Sequence, residues 1–401
     1  MKHFKASALL LALLMLTGCA PSGQEKPAEV DTGFLKLSSA PLPKDGKISE
    51  EFIRSNHAFA SSFLNALGDD WSGVYSPVSI SMILQLAMSG ADEAARSAMA
   101  ETLKIDLTDD EIAFNNSILC NALNNSDGIN VANAVLVEKN SELSERFAQY
   151  ALDFFRAETG KFDFGDPGLT DFINGWVSDK TGGRIDRLLE QVSPDAALVL
   201  LNAIDFVKSW EVPFNPEANM TLDFVGKNGT VSSEFMYRGG EIQLGFIEGG
   251  QMALLPYAGG DCFMAVMLPP EGMAVNEYVE LAMGKWSECQ MQSMELWMPK
   301  AEFKSDIDLA SVLCTMGMED AFLGGRGFLD KITGEPLQIG QAAHSAYISV
   351  NEEGTEASAA TAIIATRSMK PRMFCNRPYA MVIVDAKTDA VLFVTAVNDL
   401  D

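Results

Sequence analysis

The sequence predicts one α+β domain. Three observations carry this. Apolar residues at helical spacing are concentrated in the first half, strand-like apolar runs fill the second, and no segment repeats another. The chain has 401 residues, 47% of them hydrophobic and 21% charged, enough to bury a large core.

The first twenty residues differ from the rest. Lys2 and Lys5 precede an apolar run from Ala6 to Leu16, and Thr17-Gly18-Cys19 follows. A basic start, a short apolar run and small residues at its end make residues 1–18 a signal peptide. LTGC is similar to a bacterial lipobox, in which cleavage leaves Cys19 as a lipidated N-terminus; the alternative is an ordinary secretory signal. Lipidation would anchor an exported domain to a membrane of the cell envelope, the outer membrane or the cell surface. Residues 19–47 hold Pro21, Pro27, Pro41 and Pro43 among polar residues and read as a flexible linker. The folded domain is expected over 48–401. No apolar run after residue 20 is long enough to span a bilayer.

Within the domain, Phe52, Phe59, Phe63 and Leu67 recur at helical spacing and Gly68 ends the helix. Ser76 is placed to cap a helix that starts at Pro77 and runs, apolar nearly all round, to Met88. Further helices are expected over 92–103 and 141–155, and one capped by Thr170 and ended by Gly182-Gly183. AALVLLNAIDFV, residues 196–207, is apolar without alternation, as a strand covered on both faces requires. Strands are expected at 231–237, 241–248, 251–256, 261–268 and within 291–304, and a helix over 308–318. The C-terminus reads as a hairpin, PYAMVIVD and AVLFVTAV joined through Lys387-Thr388-Asp389.

Six cysteines, Cys19 included, lie scattered and none is paired at metal or redox spacing; Cys120, Cys262 and Cys314 sit in apolar runs. No cofactor is implied. The formal charge is −26, and loss of Lys2 and Lys5 makes it more negative. So acidic a chain is a poor partner for nucleic acid. Of three histidines, His3 leaves with the signal, and neither His57 nor His344 lies in a catalytic motif. An enzyme is not expected.

VNEEGTEASAATAIIAT, residues 350–366, is the stretch left without a place. It has an acidic start, one glycine, a run of small residues and two isoleucines. It can be an Ala-rich helix capped by Thr355, with Glu356 in the first turn. It can also enter a crowded sheet as a new strand, because small side chains clear their neighbours.

NEEGTEASAATA (351–362) resembles the reactive-loop hinge of the serpins. The resemblance continues, in the family's order, through YSPVSI (75–80), VSDKTGGRIDRLL (177–189), LVLLNAIDF (198–206), Trp210-Glu211 with Pro213-Phe214, LLPY (254–257), RPYAMVIVD (377–385) and VLFVTAV (391–397). It covers the chain from about residue 48 to the end. It implies the serpin fold: helices packed on a large central mixed β-sheet, with smaller sheets and an exposed reactive-centre loop.

It further implies a monomeric suicide-type inhibitor that holds a serine protease, or a cysteine protease, as an acyl-enzyme. The alternative is a non-inhibitory member acting as a surface binding or chaperone-like protein. The hinge would comprise Glu352, Gly354, Thr355, Ala357, Ser358, Ala359 and Ala360, small enough to match the inhibitory pattern. Ser76, Ser79, Asn202 and His344 would form the polar "shutter" under the sheet, and Trp210 would mark the "breach" where the loop enters. The family's usual spacing from Glu352 puts the cut between Ser368 and Met369, and one residue less puts it after Arg367. Arg367 suits trypsin-like enzymes, whereas Ser368 suits elastase- or subtilisin-like ones. Ser72 stands where the family has Asn, and Asp205, Val207 and Lys208 depart from its YFKG.

Overall fold

A computed structural model describes residues 33–43, 46–323, 328–354 and 370–400. Residues 1–18, expected to be a signal peptide, Cys19, the expected hinge residues from Thr355 to Ala360, and Arg367, Ser368 and Met369 lie outside the described residues.

Helices gather in the N-terminal half: α1 (Glu50–Leu67), α2 (Pro77–Ser89), α3 (Glu93–Thr102), α4 (Asp109–Asn124), α5 (Glu145–Phe155) and α6 (Leu169–Lys180). Later come α7 (Val275–Ala282) and α8 (Leu309–Leu313). Their starts are chemically marked. Ser49, Ser76, Asp92 and Ser144 each accept a backbone N–H of the first turn, satisfying a donor the helix cannot. α4 carries a full capping box between Thr108 and Glu111. α6 departs from expectation: Thr170 lies inside it, and its hydroxyl accepts from Val192 N at 3.2 Å instead of capping. The helix expected over 308–318 starts at the Asp308 cap as α8, continues as a wider turn over 314–318 that kinks at Gly317 (φ 102°), and goes on at Glu319–Leu323.

Among the described residues the strands form two sheets. The first has the order β1 (Gly33–Phe34), β4 (Ala157–Phe162), β3 (Ile129–Glu138), β5 (Leu198–Phe206), β12 (Gln341–Val350), β11 (Ala301–Asp308). β5 is buried along its whole length, antiparallel to β3 and parallel to β12, which is why its sequence shows no alternation. The second sheet runs β13 (Arg372–Phe374), β10 (Gln290–Pro299), β7 (Thr230–Ile247), β8 (Gly250–Pro256), β9 (Cys262–Leu268), β14 (Tyr379–Asp385), β15 (Val391–Val397), β2 (Gly73–Tyr75), with β6 (Met220–Val225) beside β7. β14 and β15 are the expected hairpin. Asp385 Oδ1 accepts from Thr388 N at 2.7 Å, and Asp389 turns at φ 67°.

Two differences from the sequence reading are topological. The strands expected at 231–237 and 241–248 are one strand through Gly239-Gly240. Conversely, 291–304 breaks at Lys300, so that β10 and β11 belong to different sheets. The supposed linker also contributes. Gly33 and Phe34 pair antiparallel with β4, and Phe34 sits among Phe162, Phe172 and Trp176 with ring centroids 5.2–6.1 Å apart.

The first sheet is covered on both faces. On one, α6 lays Leu169, Ile173 and Val177 against Ala132, Ala134, Leu136, Val199, Leu201, Ala203 and Ala343. The main core fills the other, where α2 is buried from Pro77 to Met88.

Candidate functional site

The centre of the first sheet holds polar groups that an apolar core would not tolerate unpaired. Asn133 on β3, Asn202 on β5 and His344 on β12 stand in one row across three strands. The Ser76 N–H donates to His344 Nε2 at 3.0 Å. That nitrogen must therefore be the acceptor, so Nδ1 carries the proton and donates to Asn202 Oδ1. The Asn202 amide in turn donates to Asn133 Oδ1 at 2.6 Å and to Ser79 Oγ, while Ser79 N donates to the capping Ser76 Oγ at 3.3 Å. Burial drives the His344 imidazolium down to about 3, so the ring is neutral at ordinary pH. Protonation would set a second ring N–H against that of Ser76.

Toward one end, the sheet comes apart between β5 and β12. Their pairing ends at Asp205 and Tyr347, whereas β12 continues along β11 to Val350. At this mouth the chain turns back through Asn351–Gly354. The turn docks on the segment after β5: Trp210 N donates to Glu353 O at 3.1 Å, Trp210 Nε1 to Asn351 O at 2.9 Å and Phe214 N to Glu352 O at 2.8 Å. Trp210 is itself fixed by stacking on Tyr257, centroids 4.5 Å apart. Gly354 forms a bridge to Ser209 at φ 126°, where a Cβ would run into the backbone of Lys208, Ser209 and Trp210. Only glycine fits there.

Charge fixes the same turn. Glu352 is 7% exposed and takes the Asn219 amide and Lys300 Nζ, the latter at 3.1 Å. Burial pushes its carboxyl up, but these contacts outweigh burial and hold it below the usual range. Asp205, at the last paired position of β5, behaves oppositely. Burial raises it to about 6 although Asn130 donates to it and Arg184 lies 3.6 Å away. Its Oδ1 is buried with no hydrogen-bond partner among the described residues. Three residues further on, buried Lys208 spans both oxygens of Asp261 at 2.8 Å. Two of the residues that depart from the YFKG pattern thus place charges at the mouth of the split.

The structure brings Ser76, Ser79, Asn202 and His344 together, and Trp210 to Glu352 and Gly354. Asn133, Asn219, Tyr257 and Lys300 join these groups without having been singled out in the sequence. Asn133 is signalled by its strand partner Asn202, which sequence spacing alone does not provide; Asn219 and Lys300 lie outside strands, and Tyr257 closes the LLPY motif. His57 is remote from all this. Its Nε2 meets Asp389 O at 2.7 Å, its ring packs edge-on against Trp286, and burial lowers its pKa. Among the described residues no group of His, Cys, Asp and Glu is arranged to hold a metal ion.

A mixed sheet, split at one end with the turn Asn351–Gly354 seated in the split, packed with helices and a second sheet, is the serpin fold. The chain belongs to the serpin family, whose model, described as "Serpin (serine protease inhibitor)", matches residues 54–400. An uncharacterized serpin-like protein of Methanosarcina acetivorans is 27% identical, with 99% of each chain covered. Serpin B6 of Macaca fascicularis is 31% identical over 84% of this chain and 96% of its own. The solved structure of tengpin, a thermophilic serpin in its native state, superimposes with a TM-score of 0.83 at 26% identity, covering 92% of this chain and all of that one.

Proposed function

We propose that this serpin is a suicide-type protease inhibitor that captures a serine protease as its acyl-enzyme when the cleaved loop inserts between β5 and β12. One observation carries the reading. The loop leaves β12 through a turn already docked where the β5–β12 pairing has stopped. A strand continuing from Gly354 would run antiparallel to both neighbours and needs no new crossing. Reactive-loop insertion of this kind is an established form of strand addition.

About fifteen residues at ~3.3 Å each would carry a bound protease some ~50 Å. Each ladder bond contributes ~0.5–1.5 kcal/mol net, so the whole strand releases on the order of ten kcal/mol. Pulling on the acyl-enzyme by that distance disrupts a preorganised oxyanion hole, and deacylation stops. Thr355, Ala357, Ser358, Ala359 and Ala360 are small enough to pass between the strands. Arg367 and Ser368 offer the bond to trypsin-like and to elastase- or subtilisin-like enzymes respectively. Lipidation of Cys19 would hold this monomeric inhibitor at the cell envelope.

Incubation with a panel of serine and cysteine proteases tests the proposal. A complex that survives denaturing electrophoresis, with a released fragment beginning at Ser368 or Met369, is expected. Complete loop cleavage without complex by every protease would refute it and leave a binding or chaperone-like role.

A further inference from the structure

The linker that follows α6 crosses the split on the opposite face from His344. Odd-numbered residues of β5 and β12 point to this face, as Val199, Leu201, Ala203 and Ala343 do in the cluster under α6. One row across the sheet on that face reads Asn130, Asp205, Tyr347, Lys304, on β3, β5, β12 and β11. It is the last row in which β5 and β12 are paired. Two linker residues meet its two charged members. Arg184 Nη1 lies 3.6 Å from Asp205 Oδ2, and Lys304 Nζ lies 2.8 Å from Asp186 Oδ1.

We propose that Arg184 and Asp186 clasp the two halves of the first sheet, and that this clasp sets how readily β5 and β12 part. The two ion pairs bridge β5 and β11 through one short piece of linker, so they favour the closed sheet. A strand entering between β5 and β12 moves β11 away from β5 by a further ~4.8 Å. Keeping both pairs across that wider gap would draw the Arg184 and Lys304 side chains out of their present contacts, so the clasp works against opening.

Nor can the linker simply follow one half, because it is tied to α6. Asn174 Oδ1 accepts from Leu188 N at 2.8 Å and Leu189 N at 3.1 Å, and Thr170 Oγ1 accepts from Val192 N. The groups facing Asp205 are Arg184 from the linker, Asn130 from β3 and Tyr347 from β12. Tyr347 in turn faces Glu302 of β11. Arg184 is the cation among them, so it is the side chain that can hold β5 to the linker through charge. The clasp rests on the insertion reading only for its consequence: looser strands would admit the loop sooner.

Hydrogen–deuterium exchange of the uncleaved chain at 199–205 and 341–347 tests it directly. Lys304 is part-exposed and Asp186 largely exposed, so Lys304→Ala and Asp186→Ala are expected to fold. Each should speed exchange of these amides roughly two- to fivefold, the range for one partly exposed ion pair, and the double variant no further than either single. The reversed pair, Asp186→Lys with Lys304→Asp, should restore protection, which a merely structural role would not. Unchanged exchange in the single variants, or acceleration that the reversed pair leaves in place, overturns the clasp. Failure of the insertion reading is seen elsewhere, as a nicked protein no more heat-resistant than the intact one, and leaves the exchange result standing.

Discussion

Asn202→Ala removes the hub of the row under the split. Four hydrogen bonds converge on that side chain: from His344 Nδ1 to its oxygen, and from its amide to Ser79 Oγ, Ser79 O and Asn133 Oδ1. The truncation leaves the His344 N–H and Asn133 Oδ1 buried without those partners. At ~1–3 kcal/mol for each of the two stranded groups, the intact protein should lose about 2–6 kcal/mol. An inserted strand would separate β5 from β12 and so break the Asn202–His344 contact even in the natural sequence. The cleaved, inserted form should therefore lose much less from the same substitution. Differential scanning calorimetry of intact and loop-cleaved samples reads both numbers. Several degrees lost by the intact variant and little by the cleaved one is the expected pattern. Equal losses in the two forms would mean that β5 and β12 never part at this row, and the reasoning fails.

Other perturbations test separate parts of the account. His344 is buried neutral, so its folded-state pKa, about 3, lies below that of the unfolded chain. Its contribution is whole above pH ~6.5 and drains away at up to ~1.4 kcal/mol per pH unit as the pH falls toward 3. Asp205 is raised to about 6, so its burial penalises the folded state above that pH and the penalty lifts on acidification. The two offset each other between about pH 6 and 4. Asp205→Asn should therefore steepen the acid side of a denaturant-midpoint profile, and a profile that stays flat would count against the assignment. Gly354→Ala drives a Cβ into the backbone of residues 208–210. It should unseat the turn, release the two Trp210 bonds at a cost of ~1–3 kcal/mol, and shift Trp210 fluorescence toward that of an exposed indole. Thr355→Arg puts a charge where the loop must enter first. It should convert the inhibitor into a cleaved substrate, read as a rise in the inhibitor-to-protease ratio needed for full inhibition.

What the sequence revealed followed burial symmetry. β5 was legible because both its faces are covered, and α2 because it is buried nearly all round. The closing hairpin announced itself by two apolar runs around a turn. α4 was overlooked because Asn115, Asn116 and Ser117 are buried on it and blur its apolar stripe, although Thr108 and Glu111 are a readable capping box. β12 is hidden by the small and polar residues of QAAHSAYISV, which carry neither an apolar run nor a clean alternation. β3 and β4 also went unplaced. The break at Lys300 could not be read locally, since β10 and β11 differ only in the sheet they join.

The candidate site divides in the same way. Resemblance supplied Ser76, Ser79, Asn202, His344 and Trp210. Asn133 completes their row only through its register with Asn202, a fact of pairing rather than spacing. Asp205 was noted as a departure from the family's pattern. Its raised pKa and its place at the last paired row come from the fold around it.

The central claim is that the intact chain is held short of its most stable arrangement, with a place for one more strand between β5 and β12. Thermal unfolding of the protein before and after a single cut in its loop tests that most directly. The account predicts a large upward shift in Tm for the nicked sample, with new exchange protection at residues 355–366. Identical melting of the two samples, with that segment still exchanging freely, would contradict it.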